Sequence, residues 1–261
     1  MTSLEQLQRT WDELGHSDPM WAILTDPRKR GNRWDRESFF ETGRQDIGQL
    51  FEWIEEMDAL PARGRALDFG CGVGRLTQAL AARFDEIVGV DIAPRMIELA
   101  RELNTRGDRC AYVLNDRDNL GVFEDASFDF VYTFITLQHM EPRFSKRYLA
   151  EFVRILRPGG LLIFQLPDRP EESVGWIRAT APAIVRRAWR RLKRAAGPQG
   201  LMEMHGIPRE TVVGLLESAG AEVVAVRDND TSAPGWHSLR YAARRSVSGG
   251  VAEAAEAAGG A

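Results

Sequence analysis

The sequence predicts an α/β fold built on a doubly wound, largely parallel sheet. Three observations predict it. Short apolar runs of strand length alternate with helix-length amphipathic segments from residue 45 to about residue 220. A glycine-rich turn, with Gly70, Gly72 and Gly74, joins the first such run to the helix after it. The chain's 261 residues, 44% hydrophobic and 28% charged, suit one large domain with additions. Strands separated by single helices run parallel, because the crossover needs about a dozen residues or more.

Residues 1–44, rich in Trp, Pro and Arg, are expected to form an arm over the core. The domain proper then spans 45–245. Its buried strands read as "RALDFG" (65–70), "EIVGVDI" (86–92), "CAYVLN" (110–115), "SFDFVYTF" (127–134) and "GLLIFQL" (160–166). The helices between them are "GRLTQALAARF", "PRMIELARELN" and "RFSKRYLAEFVRIL". The last sets Phe144, Tyr148, Leu149, Phe152, Val153 and Leu156 on one face, and "RPGG" ends it. A long insertion, 168–205, follows the fifth strand. "PRETVVGLLESAG" is a further helix closing on Gly220, and "AEVVAVR" is a strand. "APGW" turns the chain into "HSLRYAAR", a hairpin partner for that strand, and 246–261 reads as a disordered tail.

The formal charge of −4 points to neither a nucleic-acid nor a membrane partner. Two cysteines, Cys71 and Cys110, cannot build a disulfide framework, which suits a reducing, cytoplasmic setting. The first fifteen residues are polar and amphipathic rather than signal-like, and no window is apolar and long enough to span a bilayer.

The glycine turn asks which nucleotide it serves. A triphosphate loop needs Lys and then Ser or Thr after its glycines, and here Arg75 and Leu76 follow Gly74. A dinucleotide fits better, since Asp91 ends the second strand where ribose hydroxyls are gripped. Yet the third glycine is misplaced, and Asp68 stands directly before the loop. A carboxylate there would repel a pyrophosphate by about 1 kcal/mol or more at about 4 Å, and would welcome an ammonium or sulfonium.

"LDFGCGVGR", "IVGVDIAPRMIELAR", "NDRDNL", "SFDFVYTFITLQHM" and "YLAEFVRILRPGG" resemble, in order and spacing, the motifs of class I S-adenosylmethionine-dependent methyltransferases. The resemblance covers residues 45–166 strongly and 207–243 weakly. It implies a seven-stranded sheet with the last strand antiparallel. It also implies that Asp68, Gly70, Gly72 and Gly74 line the methionine and ribose end of S-adenosyl-L-methionine. By the same resemblance Asp91 accepts from both ribose hydroxyls, Ile92 and Met96 flank adenine, and Asp116 accepts from its amine. Read from the residues alone, Asp91 also suits a cap for the helix that follows, and Asp118 or Asn119 suits the turn at Asp116.

Methyl transfer from a sulfonium needs alignment and a dry site, and a hydroxyl acceptor adds the need for a base. His139, just beyond the fourth strand, is the candidate base, titrating near neutrality. The alternative is a histidine that only packs the next helix. Glu141 is a weaker candidate, and His205 and His237 sit by the insertions as substrate contacts or structural residues. The fourth strand lacks an Asn/Asp-Pro-Pro-aromatic signature and no RNA-binding module is visible, so nucleic acid is disfavoured as substrate. The expected acceptor is a small molecule, a sugar or other hydroxyl compound, with N- or C-methylation of a metabolite as the alternative. A NAD-dependent oxidoreductase and a non-catalytic cofactor-binding module are the competing classes, and no metal ligands are assigned.

Residues 178–194 carry seven Lys or Arg and no acid, with Ile184, Val185, Ala188, Trp189 and Leu192 at helical spacing. This basic helix reads as a lid for an anionic or glycosylated acceptor, as a contact with a membrane or partner, or as a solvated face. Arg44, in the basic arm, is expected to pair with the methionine carboxylate.

Overall fold

The structure, a computed structural model, describes residues 3–171, 202–229 and 235–247. The basic segment 178–194 and the tail from 248 lie outside the described residues. One sheet holds seven strands: β1 (Arg65–Phe69), β2 (Glu86–Asp91), β3 (Cys110–Leu114), β4 (Phe128–Thr133), β5 (Leu156–Pro170), β6 (Ala221–Asp228) and β7 (Trp236–Arg245). Their order is β3-β2-β1-β4-β5-β7-β6. The first five pair in parallel, and β7 runs antiparallel to both β5 and β6. This is the predicted fold, including the antiparallel last strand. The chain winds outward from β1 to β3 and then returns to β4 on the other side of β1. That reversal opens a crevice at the carboxyl ends of β1 and β4, where open α/β sheets place ligands.

Helices cover both faces, which is why β4 is buried along its whole length. On one face α3 (Arg36–Glu56), α4 (Arg75–Leu80) and α5 (Pro94–Glu102) press Leu50, Phe51, Leu80 and Ile97 onto Ile87, Phe130 and Ile163. On the other, α6 (Pro142–Ile155) and α7 (Arg209–Ser218) pack Leu149, Phe152, Val153 and Leu216 against Leu162 and Phe164. The apolar face read for α6 is this buried one, with Phe144 only partly covered. Burying a side chain such as Phe152 contributes about 2–3 kcal/mol before any packing gain.

Three boundaries differ from the sequence reading. β5 starts at Leu156, directly after α6, so the "RPGG" that stops the helix also opens the strand. Its pairing with β4 shifts between Phe128 and Phe130, where Gly159 takes a φ of +79° that other residues rarely adopt. At the far end Arg169 and Pro170 pair with His237 and Trp236, so the first residues assigned to the insertion belong to the sheet. α3 runs unbroken through residues 44 and 45, where the arm was divided from the domain.

Two further helices, α1 (Leu4–Ser17) and α2 (Pro19–Ile23), lie over α5 and the glycine turn. Leu14, Ala22, Phe39 and Phe40 form a separate core with Val73, Ala93 and Met96. Ser3 caps α1 by accepting from the Gln6 N–H at 3.1 Å. Two cross-links tie α1 down. Gln8 Nε2 donates to the Ile92 carbonyl at 3.1 Å, and Asp12 Oδ1 accepts from the Arg95 N–H at 2.8 Å. No helix among the described residues is long and apolar enough to cross a membrane.

Candidate active site

The glycine turn is tight on both sides. Gly70 and Gly72 hold φ of +77° and +53°. A Cβ on Gly70 would stand 2.3 Å from the Thr136 side chain, and one on Gly72 would stand 2.5 Å from Ile23 of α2. Both positions therefore need glycine for conformation and for space. Beside this turn lies an open cavity with about 970 Å³ of free space, mouth included. Gly70, Gly72, Asp91, Ile92, Met96 and His139 line it, and Leu4, Leu7 and Trp11 of α1 cover it. Gly74 is set back from the cavity as the N-cap of α4.

Asp91 sits on the cavity wall with its carboxylate fixed from behind. Oδ2 accepts from the Gly72 N–H at 2.8 Å and Oδ1 from the Ala93 N–H at 2.9 Å. Each oxygen keeps lone-pair capacity for a further donor. Burial raises its pKa, and the backbone hydrogen bonds from Ala93 and Gly72 oppose that rise. Ile92 and Met96 add apolar surface next to it.

Asp116 is not brought to this wall. It is exposed, and its neighbour Asn115, buried, lines the cavity instead. β3 ends at Leu114, and Asn115 is still held to the sheet through its N–H to the Asp91 carbonyl at 2.9 Å. The next residue therefore points out. Asp68 also stands off the cavity: it is buried under the turn, where Thr77 Oγ1 donates to it at 2.6 Å. Burial pushes its pKa up to about 6 against the Thr77 hydrogen bond.

Arg44 does not face the cavity. Its guanidinium pairs with Glu37 and Glu41 of its own helix on the exposed side. The arginine that reaches the cavity is Arg75, at the start of α4 and buried. Nη1 donates to Asp46 at 2.6 Å and to Thr42 Oγ1 at 3.1 Å, while Nε is buried without a partner. In the sequence Arg75 served to argue against a triphosphate and, standing in place of a glycine, against a dinucleotide. Its position directly after the last turn glycine, on a helix start, was the signal that places it beside the cavity.

His139 closes the turn Leu137–His139 at the carboxyl end of β4 and lines the cavity, with Trp11 edge-on at 5.3 Å. Nδ1 lies 3.2 Å from the Glu203 carbonyl, an acceptor, so this nitrogen carries the proton. Nε2, 3.3 Å from Gln138 Nε2, then accepts from that amide. Gln138 is oriented in turn by Gln165, whose Nε2 donates to Gln138 Oε1 at 3.0 Å and to Ser238 Oγ at 2.5 Å. Gln165 Oε1 accepts from the Ile135 N–H at 3.2 Å. Ile135 itself lines the cavity at a φ of +57°, a strained backbone for a β-branched residue. Burial lowers the His139 pKa to about 4, with the Glu203 carbonyl opposing and His205 adding to the fall. The expectation of titration near neutrality is thereby corrected: the ring is neutral throughout that range.

The other ionisable candidates stay outside. His205 lies beside Glu203 at 3.9 Å, and His237 bridges Asp228 at 3.1 Å and Asp168 at 3.4 Å. Glu141 stands at the start of α6 and pairs with Arg143 at 3.1 Å.

The family profile described as "Methyltransferase domain" matches residues 67–164, the span from β1 to β5 that builds this cavity. The chain is 36% identical over 164 residues to O-methyltransferase rstn1 of Aspergillus nomiae, covering 60% of this chain and 72% of that one. The chain belongs to the S-adenosylmethionine-dependent methyltransferases. It is 31% identical over 141 residues to the ubiquinone biosynthesis O-methyltransferase of Hahella chejuensis, covering 54% of this chain and 58% of that one. It thus spans about half the length of several curated relatives it matches. The fold is shared with the magnesium protoporphyrin IX methyltransferase of Synechocystis, solved with bound S-adenosylhomocysteine. That match has a TM-score of 0.63 and 17% identity over 94% of this chain and all of that one. The cavity fits the family's cofactor, S-adenosylmethionine. It offers an oriented carboxylate beside apolar walls, with the buried Arg75 among its lining residues.

Proposed function

We propose that the protein transfers the methyl group of S-adenosylmethionine to a hydroxyl of a small-molecule acceptor, sugars and sugar phosphates included. The observation that carries this reading is the pairing, on one cavity, of the fixed Asp91 carboxylate with a neutral histidine at the mouth. The bound sulfonium supplies an already activated methyl. The residues therefore have to align, exclude water and receive a proton.

Asp91 takes the ribose hydroxyls on the lone pairs its two backbone donors leave free. Ile92 and Met96 flank the adenine, and Asn115, in the place expected of Asp116, meets its edge. The free Nε of Arg75, in the place expected of Arg44, takes the methionine carboxylate. Leu4, Leu7 and Trp11 keep water from the reacting end. His139 receives the acceptor's hydroxyl proton on Nε2, which requires the hydroxyl to displace the Gln138 amide. The buried carboxylate under the turn, Asp68, opposes a pyrophosphate there and so opposes a NAD cofactor.

The test is a methyl-donor turnover assay with mass detection against sugars, sugar phosphates, phenols, amines and carbon acids. The expected product is a methyl ether formed with one S-adenosylhomocysteine. Turnover on amines or carbon acids alone would contradict the hydroxyl reading.

A further inference from the structure

The carboxyl edge of the sheet, beyond His139, holds a charge that the fold does not balance. Arg240 of β7 is 8% exposed, and its Nε is buried without a hydrogen-bond partner. No carboxylate forms an ion pair with it among the described residues. Its guanidinium lies 4.8 Å from the ring centre of Phe134, and Phe134 lines the cofactor cavity. Across the antiparallel pair its direct neighbour is Arg227 of β6, whose guanidinium sits over Trp53 at 4.2 Å. Like charges directly opposite one another destabilise a sheet, and a buried guanidinium without a counter-ion is unfavourable in itself. The pKa of Arg227 is lowered, first by burial and then by the Arg240 charge.

Glu56 of α3, exposed, opposes the fall at Arg227 but forms no ion pair with either arginine among the described residues, and the groups facing Arg240 have no free negative charge to give. Gln165, opposite Arg240 on β5, has both ends of its amide committed to Ile135, Gln138 and Ser238. The Tyr132 phenol is pushed up to about 12 by burial and stays neutral. Asp46, whose charge also acts on Tyr132, is bound to Arg75 at 2.6 Å. The ring of Phe134 offsets part of the cost but is no counter-ion.

We infer that Arg240, backed by Arg227, is an anion-binding site that holds a carboxylate or phosphate of the acceptor. This rests on the methyltransferase reading and adds which group of the acceptor is gripped. Gln165 and Gln138 connect the position to His139 by side-chain hydrogen bonds, so an anion on Arg240 places the rest of the acceptor near the proposed base.

The experiment titrates the full-length protein, saturated with S-adenosylhomocysteine, with inorganic phosphate and with benzoate at constant ionic strength in chloride. Wild type is expected to bind at least one saturably, phosphate alone marking a phosphoryl group and benzoate alone a carboxylate. Arg240→Met should lose about tenfold or more of that affinity while keeping S-adenosylhomocysteine affinity within about twofold. It should melt no lower than wild type in anion-free buffer, because it removes an unpaired charge; a purely structural arginine would behave oppositely. Should that variant not fold, Arg240→Lys is expected to keep binding that Arg240→Gln loses. No saturable anion binding by wild type, or equal binding by the variants, overturns the inference. Loss of S-adenosylhomocysteine binding by wild type overturns the methyltransferase reading instead, and the same titration run without it then judges Arg240 alone.

Discussion

Both ring nitrogens of His139 are engaged, Nδ1 with the Glu203 carbonyl and Nε2 with the Gln138 amide, and burial keeps the ring neutral. A base with a pKa near about 4 is ready at every pH above that, so it imposes no acid limb near neutrality. We predict that kcat for a hydroxyl acceptor is flat from about pH 6 to pH 8, and that His139→Ala lowers it by about 10²–10⁴-fold at every pH in that range. Cofactor affinity should stay nearly unchanged. A wild-type rate rising through pH 6.5 would show a histidine more solvated than this one. That His139, Asp91, Ile92 and Met96 line one cavity was legible because a strand end and the first helical turn after it fix where a side chain points. Asn115 and Arg75 were not. Asp116 and Arg44 matched the expected charge, but the path of the loop after β3 and the packing of α3 decide which neighbour faces in.

At the scale of elements, α1 is a cover attached to the site by single side chains. α5 has Ala93 at its N-cap, which offers no side-chain acceptor, and Asp12 of α1 supplies one to the Arg95 N–H. Asp12→Ala should therefore cost about 1 kcal/mol of stability, read as a lower denaturant midpoint, and speed amide exchange in α1 and in the first turn of α5. Asp12→Asn should retain most of both. Unchanged exchange in α1 would mean that Leu14 and its apolar neighbours alone hold the cover. The helices and central strands were legible from periodicity. The true length of β5 was not, since "RPGG" reads as a stop and only its pairing with β4 shows a bulged continuation.

For the whole molecule, the buried Asp68 and the half-buried His139 give stability opposite dependences on pH over one window. The folded pKa of His139 is lowered from 6.5 to about 4, so its contribution is present above pH 6.5 and lost as pH falls through about 4. The folded pKa of Asp68 is raised from 3.8 to about 6, so its contribution is present below pH 3.8 and lost as pH rises through about 6. The two offset each other between pH 4 and 6. Replacing His139 by Gln should unmask a fall in stability with rising pH there, and Asp68→Asn should unmask a rise, both read from urea midpoints across that range. Identical slopes in the two variants would contradict the assignment. The central claim, that the cavity under α1 is an S-adenosylmethionine site organised by Asp91, is tested most directly by calorimetric titration with S-adenosylhomocysteine and with NAD. Wild type should bind S-adenosylhomocysteine one to one and NAD not at all, and Asp91→Asn, which keeps one acceptor oxygen but loses the charge, should weaken that binding about tenfold or more. Tight NAD binding, or an Asp91→Asn protein with undiminished affinity for S-adenosylhomocysteine, would contradict it.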